Sequence, residues 1–350
     1  MSPINPHPEE RPEGASRRTP GEDTAVADDL AAAVRRGDRR ALARAVTLVE
    51  STRPDHRRAA EELIAALLPA TGGATRIGIT GPPGAGKSTF IERFGLDGIA
   101  RGHRIAVLAV DPGSLRGGGA ILGDKTRMAD LARAPAAFIR PSSAGRHQGG
   151  VARRTREAIL VCEAAGFDTV LVETVGAGQS ETAIADMVDM FLLILPPASG
   201  DDLQGIKRGV VELADLVLVN KADGALLDHA TRAAADYGNA LRLIRPKLPE
   251  WRAAARAVSA LTGSGIDAVW DDVGKFRVAL QSTGAWEGRR AGQARAALWA
   301  EIGDALLERF RAAPSVAARL AQVEDEVSAG SRTPAAAARE LLAMFLGEPP

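Results

Sequence analysis

Gly81-Pro82-Pro83-Gly84-Ala85-Gly86-Lys87-Ser88-Thr89 stands between the apolar run Arg76-Ile77-Gly78-Ile79-Thr80 and the segment Phe90-Ile91-Glu92-Arg93. The first eight residues complete the pattern G-x-x-x-x-G-K-[ST], and the flanks read as a buried strand and a helix start, the context that pattern requires. Glycines let backbone N–H groups turn inward around phosphate oxygens, and the helix that follows points its positive end at them. Gly81, Pro82, Pro83, Gly84, Ala85, Gly86, Lys87, Ser88 and Thr89 are therefore expected to cradle a nucleotide's phosphates. Lys87 is expected to reach the β- and γ-phosphates, and the Ser88 hydroxyl to ligate Mg²⁺.

Outward from this loop, short Val-, Ile- and Leu-rich runs alternate with helical stretches. Strands are expected at Ile105–Val110, Ala137–Arg140, Thr169–Glu173, Phe191–Leu195, Leu216–Asn220 and Ala257–Ser259, with helices over Ala152–Ala165 and Leu226–Leu243 between them. Continuous apolar strands joined through helices predict an α/β fold with a doubly wound, mostly parallel sheet covered on both faces. Four regions follow. Residues 1–24, with Pro3, Pro6, Pro8, Pro12 and Pro20, read as a disordered tail. Residues 25–72 show helical apolar spacing, 73–285 carry the α/β domain, and 286–350 are again helical.

Composition narrows the function. Lys plus Arg equals Asp plus Glu at 44 each, so no global field favours nucleic acid or an anionic membrane. No apolar stretch is long enough to span a bilayer, and the N-terminus lacks a signal core, so the chain is expected in the cytoplasm. The single cysteine, Cys162, reads as a small buried apolar residue. Histidines are scattered and no cysteine cluster exists, which argues against a zinc site.

Asn220-Lys221-Ala222-Asp223 follows the apolar run Leu216-Val217-Leu218-Val219. It matches the N-K-x-D pattern that reads guanine. The Asp223 carboxylate can accept from guanine N1–H and its 2-amino group, donors that adenine does not offer there. Two charge-assisted bonds of ~1.5–3 kcal/mol each correspond to about 10²–10⁴ in discrimination. Asn220 is expected to tie this loop to the phosphate loop, and the Lys221 stem to cover the base. Ser259-Ala260-Leu261 matches the S-A-x segment that closes over guanine through backbone N–H groups. Asp111 and Glu173 end two predicted strands beside the phosphate loop, where with Ser88 they could hold Mg²⁺ directly or through water. With Lys87, these acids form the candidate catalytic set. Gly176 and Gly178, in the loop from Glu173 to Gln179, give that loop freedom to move toward a γ-phosphate. Two further loops have the charge and glycine a nucleotide-sensing switch needs: Leu122–Arg127, with Asp124 and Lys125, and Ser199–Arg208, with Asp201, Asp202 and Lys207. The chain carries only six lysines against 38 arginines. Four of them, Lys87, Lys125, Lys207 and Lys221, fall in these segments, where a compact point charge differs from a guanidinium.

The segments Gly81–Thr89, Asp111-Pro112, Ile121–Met128 (ILGDKTRM), Glu173–Glu181 (ETVGAGQSE), Asp201–Lys207 (DDLQGIK), Asn220–Asp223 and Ser259–Leu261 together resemble the MeaB/ArgK-type GTPases, which include the methylmalonic aciduria type A protein. The resemblance covers about residues 60–330. Gly113 and Ala120 stand where many members have serine, and Arg208 where lysine is common. The resemblance implies a GTP- and GDP-binding homodimer whose C-terminal helices form a dimerisation arm. It implies a chaperone that gates adenosylcobalamin delivery to an acyl-CoA mutase, usually methylmalonyl-CoA mutase, and protects that enzyme. Adenosylcobalamin would be met only through the partner, and residues 201–208 would relay the nucleotide state to it. Two rival readings remain: a kinase for a periplasmic amino-acid-binding protein, which the older family naming suggests, and a nickel-insertion metallochaperone GTPase.

Overall fold

The computed structural model describes residues 20–111, 128–143, 148–174, 180–197 and 208–347. One sheet holds β1 (Thr75–Thr80), β2 (Ile105–Asp111), β3 (Ala137–Ser143), β4 (Thr169–Thr174), β5 (Met190–Leu195), β6 (Leu216–Val219) and β7 (Ala254–Ala257). Their spatial order is β3-β2-β4-β1-β5-β6-β7, and every pairing is parallel. Parallel neighbours need crossovers, which bring helices onto both faces. The strands alternate between those faces: Val170 and Val172 enter one apolar layer, Leu171 the other.

The first layer packs α1 (Pro20–Arg35), α2 (Arg39–Glu50), α3 (Pro54–Leu67), α6 (Gln148–Ala164) and α7 (Ser180–Ala185) against β2 and β4. The helices before the phosphate loop thus share a core with the sheet, and α1 reaches back to Pro20. The local code is plain in α2. Asp38 caps its N-terminus by accepting from the Arg40 and Ala41 N–H groups, and Leu42, Ala45, Val46 and Val49 fall on its buried face. Opposite lie α4 (Lys87–Ala100), α5 (Ala129–Arg133) and α10 (Ile266–Gln281), while α8 (Arg208–Leu213) and α9 (Leu227–Leu243) continue the first layer over β5 and β6, around Leu193, Leu195, Val217 and Val219.

The predicted strand Ala257–Ser259 is displaced. The pairing runs Leu216↔Ala254 to Val219↔Ala257, so the strand ends where the prediction begins. Its sequence is Ala-Ala-Arg-Ala, without the β-branched residues that mark the other strands.

After the sheet come α11 (Ala285–Ala312), α12 (Pro314–Ser328) and α13 (Pro334–Leu346). The last two close a small core of their own around Val316, Val323, Ala337 and Leu341. At its root α11 is pinned to the amino edge of the sheet. Arg290 forks onto the buried Asp189 carboxylate at 2.7 and 2.8 Å, reaches the Gly72 and Ala74 carbonyls, and lies over the Trp286 ring. Gln293 donates to the Val188 carbonyl. Further along, α11 leaves Leu298 and Trp299 58% and 70% exposed, with Ile302 and Leu306 following on the same side.

Candidate functional site

Every nucleotide-binding candidate that the structure describes lies at the carboxyl edge of the sheet, directly after β1, β6 and β7, with Glu173 the next-to-last residue of β4. Ligands collect at this edge in doubly wound folds. β1 stands between β4 and β5, so the phosphate loop has Glu173 on one side and the end of β5 on the other.

The loop Gly81–Gly86 turns the chain from β1 into α4, whose N-terminal residue is Lys87. Two glycines are sterically required. A Cβ on Gly81 would lie 2.0 Å from the Ile194 carbonyl oxygen, and one on Gly86, itself at φ +88°, 2.5 Å from the Asn220 amide nitrogen. Lys87 Nζ donates across its own loop to the carbonyls of Gly81 and Pro82, at 2.9 and 3.3 Å. The ammonium therefore sits over the concave side of the loop. The Ser88 hydroxyl donates to Glu173 Oε1 at 3.3 Å. Glu173 is almost fully buried and pairs in register with Ile79 of β1 and Ala109 of β2. A hydroxyl and a buried carboxylate this close form an all-oxygen donor set that suits a hard cation such as Mg²⁺. Asp111 closes β2 two residues past Ala109; its side chain lies outside the described residues.

The candidate base-reading elements are joined to the phosphate loop by one side chain. Asn220 Nδ2 donates to the Ala85 carbonyl at 2.9 Å, and its Oδ1 accepts from the Ala260 N–H at 3.0 Å. Asn220 thus fastens the loops after β1, β6 and β7 together, as its place in N-K-x-D leads one to expect. Lys221 has φ +63°, the one non-glycine positive φ among the described residues. Such a backbone costs about 1 kcal/mol or more and persists where its surroundings fix it. Ser259 is fully buried. Its hydroxyl donates to Asp223 Oδ2 at 2.5 Å and accepts from the Thr262 N–H at 3.1 Å. Leu261 projects outward, 76% exposed.

Sequence reasoning gave Ser259 only a backbone role; its hydroxyl as an orienting group for Asp223 was missed. It also missed the buried hydroxyl pair Thr174–Thr80, 2.8 Å apart, which links the residue after Glu173 to the last residue before Gly81. Threonines at strand ends carry no distinctive spacing, so the sequence offered no signal for them. Arg93 of α4 packs beneath Gly263, where a Cβ would meet its guanidinium. Asp124, Lys125, Gln179, Asp201, Asp202 and Lys207 lie outside the described residues. Among the described residues no group of three or more histidine, cysteine or acidic side chains is arranged to hold a metal ion by itself. No described helix is long and apolar enough to cross a membrane.

Comparison with known proteins gives a consistent result. The family described as methylmalonyl-CoA mutase-associated GTPase MeaB matches residues 42–315. A putative GTPase of Caulobacter vibrioides is 55% identical over 88% of this chain and 94% of its own length. The methylmalonic aciduria type A homolog of mouse mitochondria is 45% identical over 91% of this chain and 79% of its own. A crystal structure described as a LAO/AO transport system kinase superimposes with a TM-score of 0.74 at 38% identity, covering 92% of this chain and 98% of that one.

Proposed function

This chain belongs to the methylmalonyl-CoA mutase-associated GTPases, and from that premise we propose that it is a GTP-driven chaperone of an adenosylcobalamin-dependent acyl-CoA mutase. It is a GTPase of the phosphate-loop fold. The finer reading is that its nucleotide cycle gates cofactor delivery to the mutase and protects it, with methylmalonyl-CoA mutase the first candidate partner. The observation that carries the reading is the Asn220 bridge, which makes base recognition and phosphate binding one mechanical unit. A site built this way suits a sensor of nucleotide state.

Hydrolysis would rest on positioning and charge. Loop amides and Lys87 would hold the β- and γ-phosphates. Ser88 and Glu173, with Asp111, would hold Mg²⁺, which neutralises phosphate charge when bound. Asp223, oriented by Ser259, would select guanine, and the Lys221 stem would cover its face. No residue stands out in the sequence as a base for water, so turnover by the chain alone is expected to be slow. The exposed α11 stripe around Leu298 and Trp299 fits a homodimer formed through the C-terminal helices.

The decisive measurement is GTP hydrolysis with and without purified methylmalonyl-CoA mutase. The chain alone should turn over far below rates on the order of tens per second, and the mutase should accelerate it and co-elute in a nucleotide-dependent manner. Fast turnover by the chain alone contradicts the slow-timer reading, and no association in any nucleotide state contradicts the chaperone reading. The name of the 38%-identical structure favours one competitor, phosphoryl transfer to a protein. γ-Labelled GTP separates the two, because the GTPase reading releases all label as inorganic phosphate.

A further inference from the structure

We propose that the trench between α6 and α11 is a docking site for a basic amphipathic helix of a partner protein. The inference rests on reading the chain as a switch that acts through a protein partner, and it adds a surface distant from the nucleotide and a chemistry for what binds there.

Two adjoining cavities of about 660 and 320 Å³ both border Glu61 of α3 and one side of α11. Together they follow α11 from Ala294 to Ala312, about 27 Å at the rise of an α-helix. A compact metabolite would occupy a fraction of that length, whereas five turns of helix would fill it. The apolar part of the α11 wall is mostly alanine, Ala294, Ala296, Ala297 and Ala300 in the larger cavity, with Leu298 at the rim it shares with the exposed stripe, and Ala305 and Ala312 in the smaller. Small residues at a contact let two helix axes approach closely, and an apolar floor with charged rims is what helix-in-groove recognition uses.

The charge selects the occupant. The larger cavity is lined by five carboxylates against two guanidinium groups. Glu301 is already taken by Arg57 at 2.8 Å and Arg153 at 3.2 Å. Asp186, Asp304 and Glu157 have no ion pair within 4 Å among the described residues. The excess acid therefore lies toward the Ala294–Asp304 end, and an incoming helix should place lysines or arginines there. The smaller cavity, with Arg57 and Arg309 facing Glu61 and Glu308, is balanced. One wall, Ala183 and Asp186, belongs to α7 and the turn after it, and α7 begins seven residues after Glu173 in the sequence.

Glu157 adds a signature of its own. Burial raises its carboxyl to about 7. The charged groups around it are Arg153 and Arg156 on its own helix, Arg57 and Glu61 from α3, Glu301 and Asp304 from α11, and Asp186 after α7. A docked cation favours the ionised carboxylate, so docking should release a proton and strengthen as pH rises from 6 to 8.

The probe is a fluorescein-labelled 18-residue helix of alanine, leucine and lysine with its lysines on one face, titrated into the full chain and followed by anisotropy. The expected result is binding that is tighter at pH 8 than at pH 6. It should weaken at least tenfold in the Asp186→Arg/Asp304→Arg double variant, which keeps its basal GTP hydrolysis. Glu157→Gln should remove the pH dependence. Equal binding by the double variant, or equal binding of a glutamate-for-lysine peptide, overturns the proposal. So does absent peptide binding, including the case in which sedimentation shows the double variant losing self-association, which assigns the trench to a second copy of this chain. Mutase is absent from the titration, so a chain that binds the peptide but never a mutase refutes the proposed function and leaves the trench standing.

Discussion

Lys87 bonds to the carbonyls at the mouth of its own loop, so its ammonium is already held where phosphate oxygens would arrive. Replacing it should remove the main positive charge from the site. Lys87→Ala is expected to lower GTP hydrolysis by about 10²-fold or more, measured by phosphate release, with nucleotide binding followed by calorimetry. At the opposite end of the site, Asp223 is held by Ser259. Asp223→Asn should reverse the hydrogen-bonding sense toward the base. GTP should weaken by about 10²–10⁴ while xanthosine triphosphate gains, and competition between the two nucleotides reads this directly. An unchanged GTP preference would refute the guanine role. Much of this chemistry was legible residue by residue. Lys87, Ser88, Asn220 and Asp223 announce themselves through fixed spacing, because a phosphate and a purine have fixed shapes. Ser259's hydroxyl and the Thr80–Thr174 pair did not, because a hydroxyl bond between residues far apart in sequence depends on how strands align.

Among the elements, most strands rich in Val, Ile and Leu were read to within a residue, since a parallel strand buried on both faces shows as a continuous apolar run; β3 runs three residues past its expected end at Arg140, through Pro141-Ser142-Ser143, where the apolar run has ended. β7 was misplaced because an edge strand of alanines shows no such run. The helical character of the C-terminal region was also legible, while its attachment was not: nothing in the sequence pairs Arg290 with Asp189, 101 residues away. That pair is buried, with side-chain exposures of 15% and 1%. Removing one partner of a buried pair leaves an uncompensated charge, typically a loss of 3–5 kcal/mol. Arg290→Ala should therefore destabilise the fold by about 3 kcal/mol in urea denaturation and raise amide exchange at the start of α11. A loss under about 0.5 kcal/mol would mean that α11 is held by its other contacts.

For the molecule as a whole, Glu157 makes stability depend on pH. Its folded carboxyl is raised to about 7 from a usual value near 4.5, so the native state binds this proton more tightly than the unfolded chain. The resulting stabilisation is complete below pH ~4.5 and is lost as pH climbs through about 7. The full shift corresponds to about 3 kcal/mol. Glu157→Gln keeps a neutral side chain throughout. The difference in unfolding free energy, variant minus wild type, should grow by about 3 kcal/mol between pH 5 and 8. A flat difference would place Glu157 in water.

The contacts at the two ends of β5 carry a mechanical consequence. Just before its first residue, Val188 and Asp189 receive Gln293 and Arg290 from α11; at its last, the Leu195 carbonyl accepts the Asn220 N–H. All six residues between are buried, and the strand is bonded laterally to β1 and β6. Such a strand is a stiff strut of about 20 Å. It resists stretching and bending, so tilting the C-terminal helices would arrive at the base-reading loop as a rigid shift of its anchor. The molecule has in effect a pushrod through its centre, with the candidate nucleotide site at one end and the outermost helices on the handle.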